Sequence, residues 1–400
     1  MFDLLGFTSI LLVSLFTYFL IIKYPQISKI LFIALVVRIF FIILGNYFIT
    51  LPDSTADADS LESEAWLISK NGFFNLNDYY KGPDPRFISW LIAIPYSLFG
   101  RSVIMAQTIS MFFGIGCVFL GWQLSLKLWN KNIAKKVAWT IALFPSLILY
   151  SVLVMRETYI CFFLLIALLG VVDWVKKKNF KSILLSLIGF VGAVFFHGAM
   201  AVGAITFIMV VGFDSFKKLI YQMLNLKFNI KIFITFVLFV VLFLLYVNNK
   251  INVPYINNFD FMTDIGVLID KTNISTRGVA SYPDWTKINT PAELIYKAPI
   301  RSLLFLFSPF PWEVREIRHL IGFFDSLLYI YLSILILLNF KIIWKNPVLK
   351  IILLILLSYV IVFGIGVGNF GTAIRHRSKL AILLILLAAP KLKTFMLYKK

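Results

Sequence analysis

The sequence predicts an all-α polytopic membrane protein with about eleven transmembrane helices, on three observations. The composition is 60% apolar, 17% aromatic and only 14% charged, with a mean hydropathy of +0.90; soluble chains are about 45–50% apolar and about 25% charged. Apolar runs near the length that crosses a bilayer, about 20 residues, recur along the chain. Every second hydrophilic connection between them is rich in lysine. Together these exclude a soluble enzyme, a disordered chain, collagen, a coiled coil and a disulfide-stapled secreted domain. The formal net charge of +19 would suggest nucleic acid in a soluble protein; here it follows from topology, and no nucleic-acid partner is expected.

The runs lie near 4–22, 29–50, 103–125, 137–154, 158–174, 182–197, 199–213, 231–248, 321–340, 350–367 and 380–396. The first is expected to be a span and not a signal peptide, because it carries Asp3 in place of a basic leader and no small-residue cleavage site follows. The runs 182–197 and 199–213 are separated only by His197-Gly198, so the total is eleven to within one or two. Cys117 and Cys161 fall inside apolar runs and are expected as core residues, not a bridge or a metal pair. The expected organisation is one integral membrane domain, 1–400, with two longer extracytoplasmic loops at 51–102 and 249–320.

Orientation follows from lysine. The connections holding Lys23 and Lys29, Lys127 to Lys136, Lys176 to Lys181, Lys217 to Lys231, Lys341 to Lys350 and the tail Lys391 to Lys400 contain 21 of the 28 lysines. By the positive-inside rule they lie in the cytoplasm. The N-terminus is then extracytoplasmic and the C-terminus cytoplasmic, in the plasma (inner) membrane. Arginine and histidine sort the other way. Nine of the ten arginines and all three histidines map to the outer border, as do all the acids except Asp173 and Asp214. Arginine presents a planar fork that grips phosphate in a bidentate manner, so the outer face is expected to carry the chemistry. Arg38, inside the second run, reads as a snorkelling or interhelical residue.

In the first loop, Asp57 and Asp59 precede a helix predicted over Leu61–Lys70 and stopped by Asn71-Gly72. They are either a solvated acidic loop complementing a helix dipole or carboxylates able to act as general base or, with a neighbour, to ligate a cation. Arg156-Glu157 interrupts two apolar runs and is either an ion pair closing a hairpin or a site where Arg156 grips a lipid phosphate and Glu157 orients an acceptor. His197 lies at a second hairpin tip, as a structural residue or an acid–base group. The second loop contains Arg301, an aromatic Ser-Pro-Phe-Pro-Trp anchor at 308–312, and a charged stretch with Glu313, Arg315, Glu316, Arg318 and His319. That stretch is either self-paired or a cationic wall over a lipid headgroup. In Gly366-Val-Gly-Asn-Phe-Gly371-Thr-Ala-Ile-Arg375-His376-Arg377-Ser-Lys379, glycine backbone can approach a ligand closely. Arg375 and Arg377 can clamp a pyrophosphate there if the segment is extended.

The first-loop spacing resembles a known family. Asp57, Ala65 and Gly72 are followed by Gly82-Pro83-Asp84-Pro85, by Trp90-Leu-Ile-Ala-Ile-Pro-Tyr and by Leu98-Phe99-Gly100; Ala106, Ser110, Gly114, Phe144-Pro145, Ser151 and Glu157 continue the pattern. This is similar to GT-C glycosyltransferases of the protein O-mannosyltransferase and lipid A aminoarabinose-transferase type, which use polyprenyl-phosphate sugar donors. The resemblance covers roughly 35–160 and departs at Leu61, where a Tyr is usual, and at Arg86, where an apolar residue is common. It implies a GT-C-like fold and gives Asp57 the part of catalytic base. The outer Pro-Trp and Arg-His-Arg signatures are also similar to O-antigen repeat-unit polymerases (Wzy-type).

The expected function is therefore an inverting membrane glycosyltransferase of cell-surface polysaccharide synthesis. It would move a sugar or oligosaccharide from a polyprenyl (di)phosphate to an acceptor at the outer face. Asp57, Asp59 and Glu157 are the candidate catalytic residues. Arg86, Arg156, His197, Arg301, Arg318, Arg375, His376 and Arg377 are the candidate phosphate- and substrate-binding residues. The expected partners are the lipid-linked donor, membrane lipid and other polysaccharide-assembly proteins, with a divalent cation as an optional cofactor. A repeat-unit polymerase is the nearest alternative, separated by a deletion strain that keeps a single capped unit. A lipid-linked sugar transporter or flippase fits less well, since the spans hold few ionisable residues at mid-depth.

Overall fold

In the computed structural model, the described residues are 3–225, 280–393 and a few positions between 230 and 241, with only the backbone at 317 and 318. The expected span 231–248, Arg277, the loop up to 279 and the tail from 394 lie outside them, except for those few positions.

The chain is an all-α multi-pass membrane protein. Its helices are α1 (Leu4–Lys23), α2 (Ser28–Tyr47), α3 (Asp59–Ser69), α4 (Phe87–Phe99), α5 (Val103–Leu128), α6 (Lys131–Leu143), α7 (Pro145–Ser151), α8 (Glu157–Lys177), α9 (Phe180–Phe196) and α10 (Ala201–Leu224), then α11 (Glu293–Phe307), α12 (Ile317–Leu338), α13 (Phe340–Lys345), α14 (Pro347–Gly366), α15 (Phe370–Ser378) and α16 (Ala381–Ala388). Among the described residues seven helical stretches are long and apolar enough to cross a membrane: 4–23, 25–47, 103–128, 157–177, 198–224, 319–338 and 347–366. The pair α6–α7, bent by 57° at Phe144-Pro145, makes an eighth if counted as one span. Helix α1 is apolar on every side, yet Leu11, Leu12, Leu15, Phe16 and Phe19 stay exposed; such a surface is stable only against hydrocarbon.

Two expected spans fall outside these eight. Helix α9 has 17 residues, near the lower limit for a span. The run 380–396 begins as α16, eight residues that are all buried, packed against α6, α12 and α14. It is a core helix. An unbroken apolar run is equally suited to lipid or to protein on all sides, so hydropathy alone cannot separate the two.

Short polar side chains start the helices. Asp3, Ser102, Asn130, Asn179, Asn346 and Asn369 accept hydrogen bonds from first-turn amides of α1, α5, α6, α9, α14 and α15 respectively. The first loop folds as a helical hairpin of α3 and α4. It is held by Glu62, which is 3% exposed, accepts from Tyr96 Oη at 2.7 Å and pairs with Arg101 at 2.6 Å.

Helices α8 and α9 cross at main-chain contact. A Cβ added at Gly189 would lie 2.2 Å from the Ala167 amide nitrogen, and one at Gly170 would lie 2.4 Å from that of Ser186. Ser186 Oγ donates to the Ala167 carbonyl at 2.8 Å in the same crossing. Small residues permit this approach without a hydrophobic drive between helices.

The helix ends are chemically sorted. Helix α8 begins at Glu157 and ends at Lys176-Lys177, about 30 Å away at 1.5 Å per residue. The two acids that the sequence leaves among the lysines are neutralised there: Asp173 pairs with Lys127 at 2.7 Å, and Asp214 with Lys178 at 3.2 Å and Lys218 at 2.7 Å.

Candidate functional site

Four chain breaks meet at the end of the bundle opposite these lysines. The segment after α2 turns through Asp53, whose φ of 61° is a left-handed conformation that Asp tolerates; its carboxylate accepts from Tyr150 Oη at 2.9 Å. It continues into a turn at 54–58 that carries Asp57. The α7–α8 break supplies Arg156 and Glu157, the α9–α10 break supplies His197, and the α15–α16 break supplies Arg375, His376 and Lys379. Each charge suits its helix end: Glu157 occupies the first turn of α8, while Arg375 and His376 lie in the last turn of α15 and Lys379 caps it.

The charges interlock. Arg375 Nη1 donates to Asp57 Oδ2, joining the first loop to the end of the chain. Glu157 Oε1 lies 3.5 Å from Lys379 Nζ, 3.8 Å from Arg375 Nε and 3.9 Å from Arg156 Nε. Lys379 Nζ lies 2.6 Å from His376 Nδ1, and the His376 ring meets the His197 ring edge-on at 5.0 Å. Exposure falls inward, from 50% for the Asp57 side chain to 19% for Arg375, 1% for Glu157 and 0% for Lys379.

The environment sets the protonation states. Burial, and then the neighbouring Lys379 and Arg156 charges, hold His197 well below its ordinary value. Burial and Lys379 do the same to His376, helped by His197, Arg375 and Arg156. Both rings are therefore neutral near pH 7 and can offer a phosphate hydrogen bonds but no charge. Burial also draws the Arg375 guanidinium down, opposed by Asp53. It draws the Lys379 ammonium down too, opposed first by Glu157. Both Glu157 oxygens, Arg375 Nε and His197 Nδ1 are buried without a hydrogen bond among the described residues. Buried polar atoms are ordinarily bonded; here Glu157 and Arg375 Nε are held by ion pairing instead, at 3.8 Å from each other.

The other sequence candidates go elsewhere. Segment 370–378 is helical, not extended, so Arg375 and Arg377 project about 200° apart and form no pyrophosphate clamp. Arg377 is fully buried and binds Asp325 at 2.7 Å, the carbonyls of Leu306, Ser308 and Gly322, and the face of Tyr329. Arg301, also fully buried, donates to the carbonyls of Thr286, Gly364 and Val367, two of them at the carbonyl end of α14. The glycine-rich stretch packs on backbone: Tyr282 N donates to the Gly368 carbonyl, and Phe370 N donates to the Ala280 carbonyl. Arg86 forms an exposed pair with Glu64 at 3.2 Å. Asp59 is exposed at the start of α3, outside the cluster. The side chain of Arg318 lies outside the described residues. Arg38 makes an interhelical contact to Ser151 Oγ at 2.9 Å and the Ala142 carbonyl at 3.2 Å. Cys117 and Cys161 are free and buried.

Lys379 was not among the sequence candidates, although its spacing of four from Arg375 puts both on one helical face. Asp325 was also missed, although an acid inside an apolar run signals a partner or a function. Among the described residues no group of three or more His, Cys, Asp and Glu side chains gathers to hold a metal ion. Comparison with known proteins finds no matching family, no matching curated protein and no matching solved structure.

Proposed function

We propose that this protein is a membrane glycosyltransferase that takes a sugar or oligosaccharide from a polyprenyl phosphate or diphosphate and passes it to a hydroxyl acceptor at the outer face. The observation that supports this reading best is the joining of Asp57 to Arg375 at the exposed edge of a buried cationic cluster. Breaking a sugar–phosphate bond leaves negative charge on the phosphate, and fixed cations in a low-dielectric site stabilise it as it develops. In this reading Arg375, Lys379 and Arg156 supply those cations. An arriving phosphate competes with Asp57 for the Arg375 guanidinium, and the released carboxylate takes the proton of the acceptor hydroxyl. His197 and His376, neutral, orient the headgroup by hydrogen bonds.

Purified protein supplied with labelled polyprenyl-linked sugar tests this. Asp57→Asn and Arg375→Ala are each expected to slow turnover about a hundredfold or more, while Asp59→Asn stays close to wild type. Folded Asp57 and Arg375 variants that turn over normally would refute the reading.

The reading also needs the acid and arginine end outside and the lysine end in the cytoplasm. Both native cysteines are buried, so single cysteines introduced at the exposed positions Thr55 and Asn132 report sidedness cleanly. A membrane-impermeant maleimide added to intact cells is expected to label position 55 and to spare position 132.

A further inference from the structure

Beside the charged centre lies a cleft of about 120 Å³ whose lining includes Glu64, Tyr80, Asp84, Arg86, Phe87 and Trp90. Its rings form one aromatic cluster. Phe87 stacks on Trp90 at 5.7 Å with 18° between planes, and Tyr80 leans on Trp90 at 5.1 Å. The indole is anchored, since Trp90 Nε1 donates to the Leu76 carbonyl at 2.9 Å. Around the rings stand hydrogen-bonding groups held in place. Asp84 Oδ1 accepts from the Arg86 amide at 2.7 Å, and Glu64 Oε1 accepts from the Arg86 guanidinium at 3.2 Å. Glu64 Oε2 is buried without a hydrogen-bond partner among the described residues.

Flat apolar faces bordered by carboxylates and a guanidinium suit one class of ligand. A sugar ring lays its C–H face on an aromatic face. Its hydroxyls donate to carboxylate oxygens and accept from guanidinium N–H groups. An acyl chain would leave the carboxylates unanswered, and a simple anion would meet two acids.

The wall of the cleft touches the charged centre. Arg156 Nη1 donates to the carbonyl of Pro85, within the loop that lines the cleft, at 3.3 Å. Phe87 packs at 5.2 Å on both Phe195 and Phe196, the residues just before His197.

We propose that this cleft is a saccharide-binding subsite that holds a sugar unit of the acceptor glycan next to the charged centre. Its role in transfer rests on the glycosyltransferase reading; its binding does not. The test uses full-length protein in lipid nanodiscs and a panel of neutral trisaccharides of hexoses, N-acetylhexosamines and deoxyhexoses, free of lipid and phosphate. Binding is read by saturation-transfer NMR. At least one trisaccharide is expected to bind wild type. Tyr80→Ala, at a ring 42% exposed, and the isosteric Glu64→Gln are each expected to weaken it about tenfold. Asp59→Asn leaves it unchanged. The proposal is overturned if no trisaccharide binds, or if Arg375→Ala abolishes binding while the Tyr80 and Glu64 variants keep it. Saccharide binding as expected, with no turnover of the lipid-linked donor by wild type, upholds the cleft and removes the transfer reading.

Discussion

Glu157→Ala is expected to cost about 3–5 kcal/mol of stability, the size of effect seen when one partner of a buried ionic group is removed. Glu157 is 1% exposed and stands between Lys379, Arg375 and Arg156. Without it three cations face one another with the more exposed Asp57 and Asp53 as the nearby acids. Glu157→Gln keeps the volume and loses the charge, so it is expected to fall almost as far. Unfolding in detergent measures both variants. Inorganic phosphate is expected to raise the midpoint of either variant more than that of wild type, because an anion bound only to the folded chain stabilises it by mass action and here replaces the missing charge. Wild-type stability in the Gln variant would mean that the cluster is not ionic.

Asp325→Ala is expected to cost a similar amount, about 3–5 kcal/mol, at a place with no part in the proposed chemistry. The carboxylate is the only acid paired with fully buried Arg377 among the described residues. Its loss leaves the buried guanidinium without a counter-charge. Arg377→Met added to Asp325→Ala removes that charge and is expected to recover a large part of the loss. Recovery stays incomplete, because Arg377 also satisfies the carbonyls of Leu306, Ser308 and Gly322. Turnover per folded molecule should change little in either variant, which separates this pair from the Asp57–Arg375 pair.

Hydropathy carried most of the helical architecture. Long apolar runs such as 103–125 and 158–174 return as α5 and α8, and the break at Arg156-Glu157 lies where its charges said it would. What stayed hidden was burial in three dimensions. Helix α16 is as apolar as any span, and nothing in its residues tells neighbouring protein from lipid. The candidate site divides along the same line. Asp57, Arg156, Glu157, His197, Arg375 and His376 lie together, as expected for polar groups sharing one end of a bundle. Arg301 and Arg377 do not, since an arginine can be satisfied by free carbonyls at helix ends as fully as by a ligand, and carbonyls leave no mark in a sequence. Lys379 was passed over because lysine served as the topological signal, and one lysine on the arginine side was read with the rest of its basic run.

The α8–α9 crossing has a bearing on how this protein could be retargeted. Where two helices touch through main-chain atoms, their separation depends on a few small residues, and nearer the cluster the Tyr159–Phe196 stack at 5.0 Å sets the spacing of Glu157 and His197. Lipid-facing positions on both helices should therefore accept wide substitution, whereas Gly170 and Gly189 should accept none. Libraries aimed at altered ligand preference are best confined to the rim formed by residues 64–90, where side chains can vary while the α8–α9 contacts hold the geometry of the ionic cluster.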